Sequence, residues 1–201
     1  MGRDTRCIGE LNGQSGEGRL QLESSGLLFR GAFRLSIPLK SITKAGAADG
    51  VLRVRFSDGS AAFHIGKTAQ GWAKEIVQPK SLLEKLGIKP GQRVALVGVE
   101  DAGFEKELAA HQAVMARPSA KDIDHLFFLL RQEGDLRRLK AQRQRLRSNG
   151  ALWILRPKGP GGVSESATMA AGKQAGLVDV KVVAFSPTHS AEKFVIPLAS
   201  R

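Results

Sequence analysis

Apolar and polar positions alternate with a period of two through the first third of the chain, the pattern of half-buried strands. In Arg19-Leu20-Gln21-Leu22 the alternation is strict, Ser24-Ser25-Gly26 reads as a turn, and Leu27-Leu28-Phe29 follows it. Phe33, Leu35 and Ile37 share one face of the next strand, Arg34 and Ser36 take the other, and Pro38 suits the strand end. The clearest unit is VLRVRFSDGSAAFHI. Leu52, Val54 and Phe56 point one way and Arg53 and Arg55 the other, and Asp58-Gly59 signals a hairpin. On the return strand Ala61, Phe63 and Ile65 face the core, which puts His64 outside with Arg53 and Arg55. The period then becomes helical: Thr68 is a candidate N-cap, and Ala69, Trp72, Ala73, Ile76 and Val77 form an apolar stripe.

Pro79 interrupts that helix, because its ring removes a donor and clashes with the preceding turn. Residues 81–86 predict a short helix ended by Gly87, and Ile88-Lys89-Pro90-Gly91 is a turn. Strands and helices then alternate, as in a mostly parallel sheet. Arg93–Val99 reads as a buried strand, Phe104–Ala110 as a short helix and Ala113–Met115 as a short strand. Ile123–Leu130 is apolar on both faces, as a central strand is. A basic helix is expected over Asp135–Ser148, ended by Asn149-Gly150. Ala151–Leu155 reads as a strand, Pro157–Gly162 as a loop that includes Pro160, and Ser164–Ala175 as a helix stopped by Gly176. Val178–Phe185 and Phe194–Leu198 close the chain as an antiparallel hairpin. The domains expected are therefore 1–78 and 79–201.

Two resemblances follow from these segments. About six antiparallel strands and one closing helix carrying Trp72 resemble a pleckstrin-homology-like domain, an α+β module built as an antiparallel half-barrel plus helix. That resemblance implies phosphoinositide, peptide or protein partners, although no basic phosphate-binding loop stands out. LGIKPGQRVALVGVEDAGF, the strand HLFFLLR with its basic helix, GALWILRPKG, and AGLVDVKVVAF running on to KFVIP resemble a class I methyltransferase. More narrowly, residues 82–198 resemble an uncharacterised bacterial family of unknown function with a shortened methyltransferase-like, Rossmann-like α/β fold. The resemblance implies a sulfonium cofactor where the first strand meets the first helix. Leu96 stands at the family's acidic strand position, Gly98 matches its first glycine, and Glu100 and Ala102 replace two others. On this count S-adenosylmethionine is disfavoured and no cofactor is expected, because a carboxylate there crowds and repels the ligand. GxGxxG is absent as well, and Gly66-Lys67-Thr68 lacks the context of a phosphate loop.

Charge adds a second theme. Lys and Arg total 31 against 19 acids, a formal net charge of +12, and such a field attracts polyanions. In DLRRLKAQRQRLRS the candidates are Arg137, Arg138, Lys140 and Arg145; Arg138 and Arg145, seven apart, would share an outward helix face for nucleic acid or anionic lipid. The candidate ligand residues are Gly98 and Glu100 after the first strand, and Arg156, Lys158, Gly161, Gly162 and Ser164 before a helix N-terminus, which favours anions.

Other chemistry is thin. Aromatic content of 5%, with no Tyr, argues against a stacking platform for single strands. Cys7 is the single cysteine, so no internal disulfide forms, and His64, His111, His125 and His189 lack metal-ligand spacing. Met1 to Glu10 carries no apolar signal core and no run approaches a membrane span, so a cytoplasmic protein is expected. No catalytic residues are assigned: Asp122 and Asp124 read as turn or cap residues, His125 as a core histidine and His189 as a turn residue. The sequence reads as a non-catalytic interaction or scaffold protein with an unidentified protein partner. The alternatives are a methyltransferase-like enzyme or sensor that binds S-adenosylmethionine or a nucleotide, and a polyanion binder acting through the Arg-rich segment.

Overall fold

The structure is a computed structural model that describes residues 3–23, 25–159 and 161–200. Ser24 of the expected turn, Pro160 of the expected loop, and Met1 and Gly2 of the N-terminal segment lie outside them. Its contacts divide into two compact units, residues 1–80 and 81–201.

In the first unit, β1 (Arg3–Leu11) and β2 (Gln14–Leu22) form a hairpin over Asn12-Gly13, which both take positive φ (50° and 83°). That backbone twist matches the flanking strands. β3 (Gly26–Gly31), β4 (Arg34–Pro38), β5 (Ile42–Ala48), β6 (Val51–Phe56) and β7 (Gly59–His64) follow, and the sheet order is β4-β3-β2-β1-β7-β6-β5. Every pairing is antiparallel. The inner face buries Leu20, Leu27, Phe29, Ile37, Leu52 and Phe63 against α1 (Ala69–Val77), whose Trp72 is 2% exposed. Thr68 does not cap α1; its hydroxyl donates back to the Ile65 carbonyl at 2.7 Å.

The second unit opens with α2 (Leu82–Leu86), held by a capping box between Ser81 and Glu84 and closed by Gly87 in the left-handed region. β8 (Arg93–Val97), α3 (Ala102–Ala110), β9 (Val114–Ala116) and β10 (Ile123–Leu129) come next. A 3-10 segment, Glu133–Arg138, leads into α4 (Leu139–Arg143) and β11 (Leu146–Pro157). α5 (Glu165–Gln174), β12 (Val178–Ala184) and β13 (His189–Val195) complete it. The sheet order is β12-β13-β11-β10-β8-β9. β8, β9, β10 and β11 pair in parallel, while β13 runs antiparallel to both β11 and β12. One core packs Leu126, Phe128, Leu152, Ile154 and Phe194 on one face, and another packs Leu86, Phe104, Phe127 and Trp153 on the other.

These sheets correct the expected fold class. In place of a half-barrel of about six strands there is one seven-stranded antiparallel sheet, continuous through the β1–β7 ladder, and the pleckstrin-homology-like assignment is not retained. In place of a mostly parallel sheet among regular helices there is a six-stranded mixed sheet with few, short helices. The expected pairing of a half-barrel module with a mostly parallel α/β module is therefore not retained. The helix expected over Asp135–Ser148 breaks after Arg143, and Leu146 begins β11 opposite Ile123. Gly150 is not a helix stop. It lies inside β11, where a Cβ would meet the Ile123 carbonyl oxygen at 2.6 Å.

Candidate functional site

The central strand β8 is where the second sheet changes direction. From β8 the chain runs through α3 to β9 on one side, then crosses to β10 on the other. In open α/β sheets ligands bind outside the carboxyl ends of strands at such a switch point. Gly98 follows the end of β8 with φ +74, a conformation that L side chains rarely adopt. Beside it lies a groove of about 420 Å³ lined by Gly98, Leu129, Arg131, Gln132, Asp135 and Arg138, with Val97 and Phe128 adding to its wall. That volume is within the range of small-molecule sites, about 300–1,000 Å³.

The polar groups of the groove order one another. The Asp135 carboxylate accepts the backbone N–H groups of Arg131 (3.0 Å) and Gln132 (3.2 Å) and an Arg138 guanidinium N–H at 3.4 Å. The Arg131 backbone hydrogen bond, followed by those from Gln132 and Arg138, holds its carboxyl below the usual carboxylate range. Arg138 also lies over the Phe128 ring, 5.0 Å from its centroid. Arg131 Nη2 donates to the Gly98 carbonyl at 3.3 Å and stands 3.8 Å from Glu100.

The expected site residues separate. Gly98 lines the groove, whereas the Glu100 side chain is 90% exposed and is not among the lining residues. Leu96, at the family's acidic position, is buried in the core. Arg156 is engaged elsewhere: Nε donates to buried Glu192 at 2.5 Å, Nη1 to the Val163 carbonyl at 3.5 Å, and Nη2 stands 3.7 Å from Glu165. Burial raises the Glu192 pKa, and Arg156 opposes that shift. Lys158 donates from Nζ to the Ser186 carbonyl and from its backbone N–H to Thr188. Gly161 has φ +88 in the same loop, Gly162 follows it, and Ser164 caps α5 through Ala167 N–H. These loop residues do not line the Gly98 groove.

The basic segment divides as well. Arg138 belongs to the Gly98 groove, while Arg137 and Lys140 line a second hollow with the Ala167–Ala171 side of α5. Arg145 does not share an outward face with Arg138; it donates to the Ala120 carbonyl and to Gln142, and burial lowers its pKa. Sequence reasoning missed Arg131, Gln132 and Asp135 as groove residues. Their only signal was their place just beyond the central apolar strand.

On the opposite half of the strands, His125 is buried. Trp153 Nε1 donates to its Nδ1 at 3.2 Å, which leaves Nε2 to donate to Gln92 Oε1 at 3.0 Å. Burial, with Lys193 adding to it, lowers its pKa to about 4. Asp124 accepts the Arg93 backbone N–H and pairs with Arg147 at 3.1 Å. Among the described residues no group of three or more His, Cys, Asp or Glu is placed to hold a metal, and no helix is long and apolar enough to cross a membrane.

No protein-family model matches the sequence. No curated protein matches it either. Solved structures are similar to it at low identity. A SAM-dependent methyltransferase from Aquifex aeolicus is 16% identical, with a TM-score of 0.48 over 60% of this chain and 90% of that one. A TehB-like SAM-dependent methyltransferase from Corynebacterium glutamicum is 13% identical, with a TM-score of 0.45 over 64% of this chain and 96% of that one. A methyltransferase of calicheamicin biosynthesis in its SAH-bound form is 16% identical, with a TM-score of 0.45 over 58% of this chain and 52% of that one. The second unit has a Rossmann-like topology, an assignment that rests on its own sheet order and single reversed strand. The narrower resemblance to an uncharacterised bacterial family gains no family match. The expectation of no cofactor is not retained; of these three structures two are described as SAM-dependent and one holds SAH.

Proposed function

We propose that the second unit binds an adenosyl ligand of the S-adenosylmethionine class in the groove beside Gly98, as a methyltransferase-like enzyme or sensor. The observation that carries this reading is a left-handed glycine at the switch point of the sheet, opening on a cleft with fixed polar groups. A glycine at this position exposes backbone N–H and C=O groups to a ligand, and its ideal Cβ would meet only Leu129 Cβ at 3.8 Å, so the floor is uncrowded. The residues fit the group. Arg131 and Arg138 supply cations for its carboxylate, and ionised Asp135 supplies an acceptor for ribose hydroxyls. When bound, such a ligand supplies an electrophilic methyl group. The chain's own residues bind and orient, and Leu129 and Phe128 keep water from one wall. On this reading residues 1–78 and 79–201 act as separate domains, with the adenosyl ligand held by the second.

Calorimetric titration with S-adenosylmethionine, its demethylated product and ATP tests the proposal. Saturable heat with S-adenosylmethionine or its demethylated product, lost in Arg131→Ala, is the expected result. No heat at millimolar ligand overturns it, and heat with ATP alone replaces the ligand class by a nucleotide.

A further inference from the structure

The outward face of the first sheet carries a row of arginines that the alternation alone does not reveal. Register places Arg34 opposite Arg30, Arg30 opposite Arg19, and Arg19 opposite Arg6, so one line of four guanidinium groups crosses β4, β3, β2 and β1. Cross-strand partners share a face, and like charges directly opposite one another destabilise a sheet. All four are exposed. Arg19 pairs with Asp4, but among the described residues Arg6, Arg30 and Arg34 have no side-chain hydrogen bond or ion pair. A hollow of about 960 Å³ lies over the row, lined by Arg6, Arg19, Arg30 and His64. His64 is held by Glu10 at 2.6 Å. Farther across the same face, β6 and β5 add Arg53, Arg55 and Lys44, so seven cations stand against Asp4, Glu10 and Glu17.

We propose that this face binds the sugar-phosphate backbone of nucleic acid without reading its sequence. Strands about 4.8 Å apart make the row roughly 14 Å long. One strand of a duplex carries about one charge per 3.4 Å of axis, a linear charge density close to that of four arginines along this row. Planar guanidinium forks match phosphate oxygens in pairs, which a lysine cannot do. A membrane surface is disfavoured because, among the described residues, Ile8 is the one strongly exposed large apolar side chain on the face, and peripheral lipid binding needs an apolar set to insert. Single-strand stacking is disfavoured too, since among the described residues no Phe or Trp stands exposed there.

The test is fluorescence anisotropy of the full chain with a labelled 20-base-pair DNA duplex over a series of salt concentrations. Arg6→Gln/Arg30→Gln/Arg34→Gln is compared with the unmodified chain, which keeps the Arg19–Asp4 pair in both. The expected salt slope of log affinity is about −4 for the unmodified chain and about −1 for the variant, with affinity at least about tenfold weaker at low salt. Arg137→Gln/Lys140→Gln is expected to bind as the unmodified chain does. The triple variant is expected to melt no lower, because it removes facing like charges. No duplex binding, binding untouched by the triple variant, or tighter binding to phosphatidylserine vesicles than to DNA at equal ionic strength overturns the proposal.

Discussion

Single positions show where small residues and buried polar groups decide local outcomes. Gly9 and Gly18 lie beneath the Phe29 ring, where added Cβ atoms would fall 2.8 and 2.4 Å from it. The ring occupies the volume their side chains would need, so Phe29 reaches the core at 1% exposure. His125 has a different consequence. Its pKa is near 4 in the folded protein against about 6.5 when unfolded. Between these values the unfolded chain binds the extra proton, so stability is complete above about pH 6.5 and falls as pH drops toward 4. The loss attributable to this group is about 2 kcal/mol at pH 5. Urea unfolding at pH 7 and pH 5 measures it, and His125→Asn is expected to flatten that part of the profile. Equal stability at both pH values in the unmodified chain would refute the assignment.

At the scale of elements, the two sheets differ in how plainly the sequence announces them. VLRVRFSDGSAAFHI reads correctly as β6 and β7 because alternation and Asp58-Gly59 agree. β1 escapes notice because its inward positions are Thr5, Cys7, Gly9 and Leu11; Phe29 supplies the apolar mass from another strand, and local pattern cannot show that. The basic segment misleads for a related reason. Leu136, Leu139 and Leu146 fit a helical stripe, yet Leu146 packs in β11. The deciding feature is the close approach of Gly150 to the Ile123 carbonyl, a long-range constraint. Gly150→Ala is therefore expected to lower stability by about 1–3 kcal/mol, read by thermal unfolding. An unchanged melting temperature would contradict this close approach within β11.

At the scale of the whole molecule, the proposed site follows from topology more than from motif. A reading centred on the loop after β8 sees Leu96, Glu100 and Ala102 and expects an unusable site. The groove is built instead from Gly98 together with residues beyond β10, which the parallel β8–β10 ladder brings alongside. Glu100, which looked obstructive, projects into solvent. Only the order of strands says that the ends of β8 and β10 are neighbours, so Arg131, Gln132 and Asp135 were not legible as a site. The most direct check is an amide nitrogen–proton spectrum recorded during titration with S-adenosylhomocysteine. The account predicts that the Gly98, Arg131 and Gln132 signals move together and saturate at one ligand concentration. Signals that stay in place there, or shifts confined to the loop after β11, would contradict it.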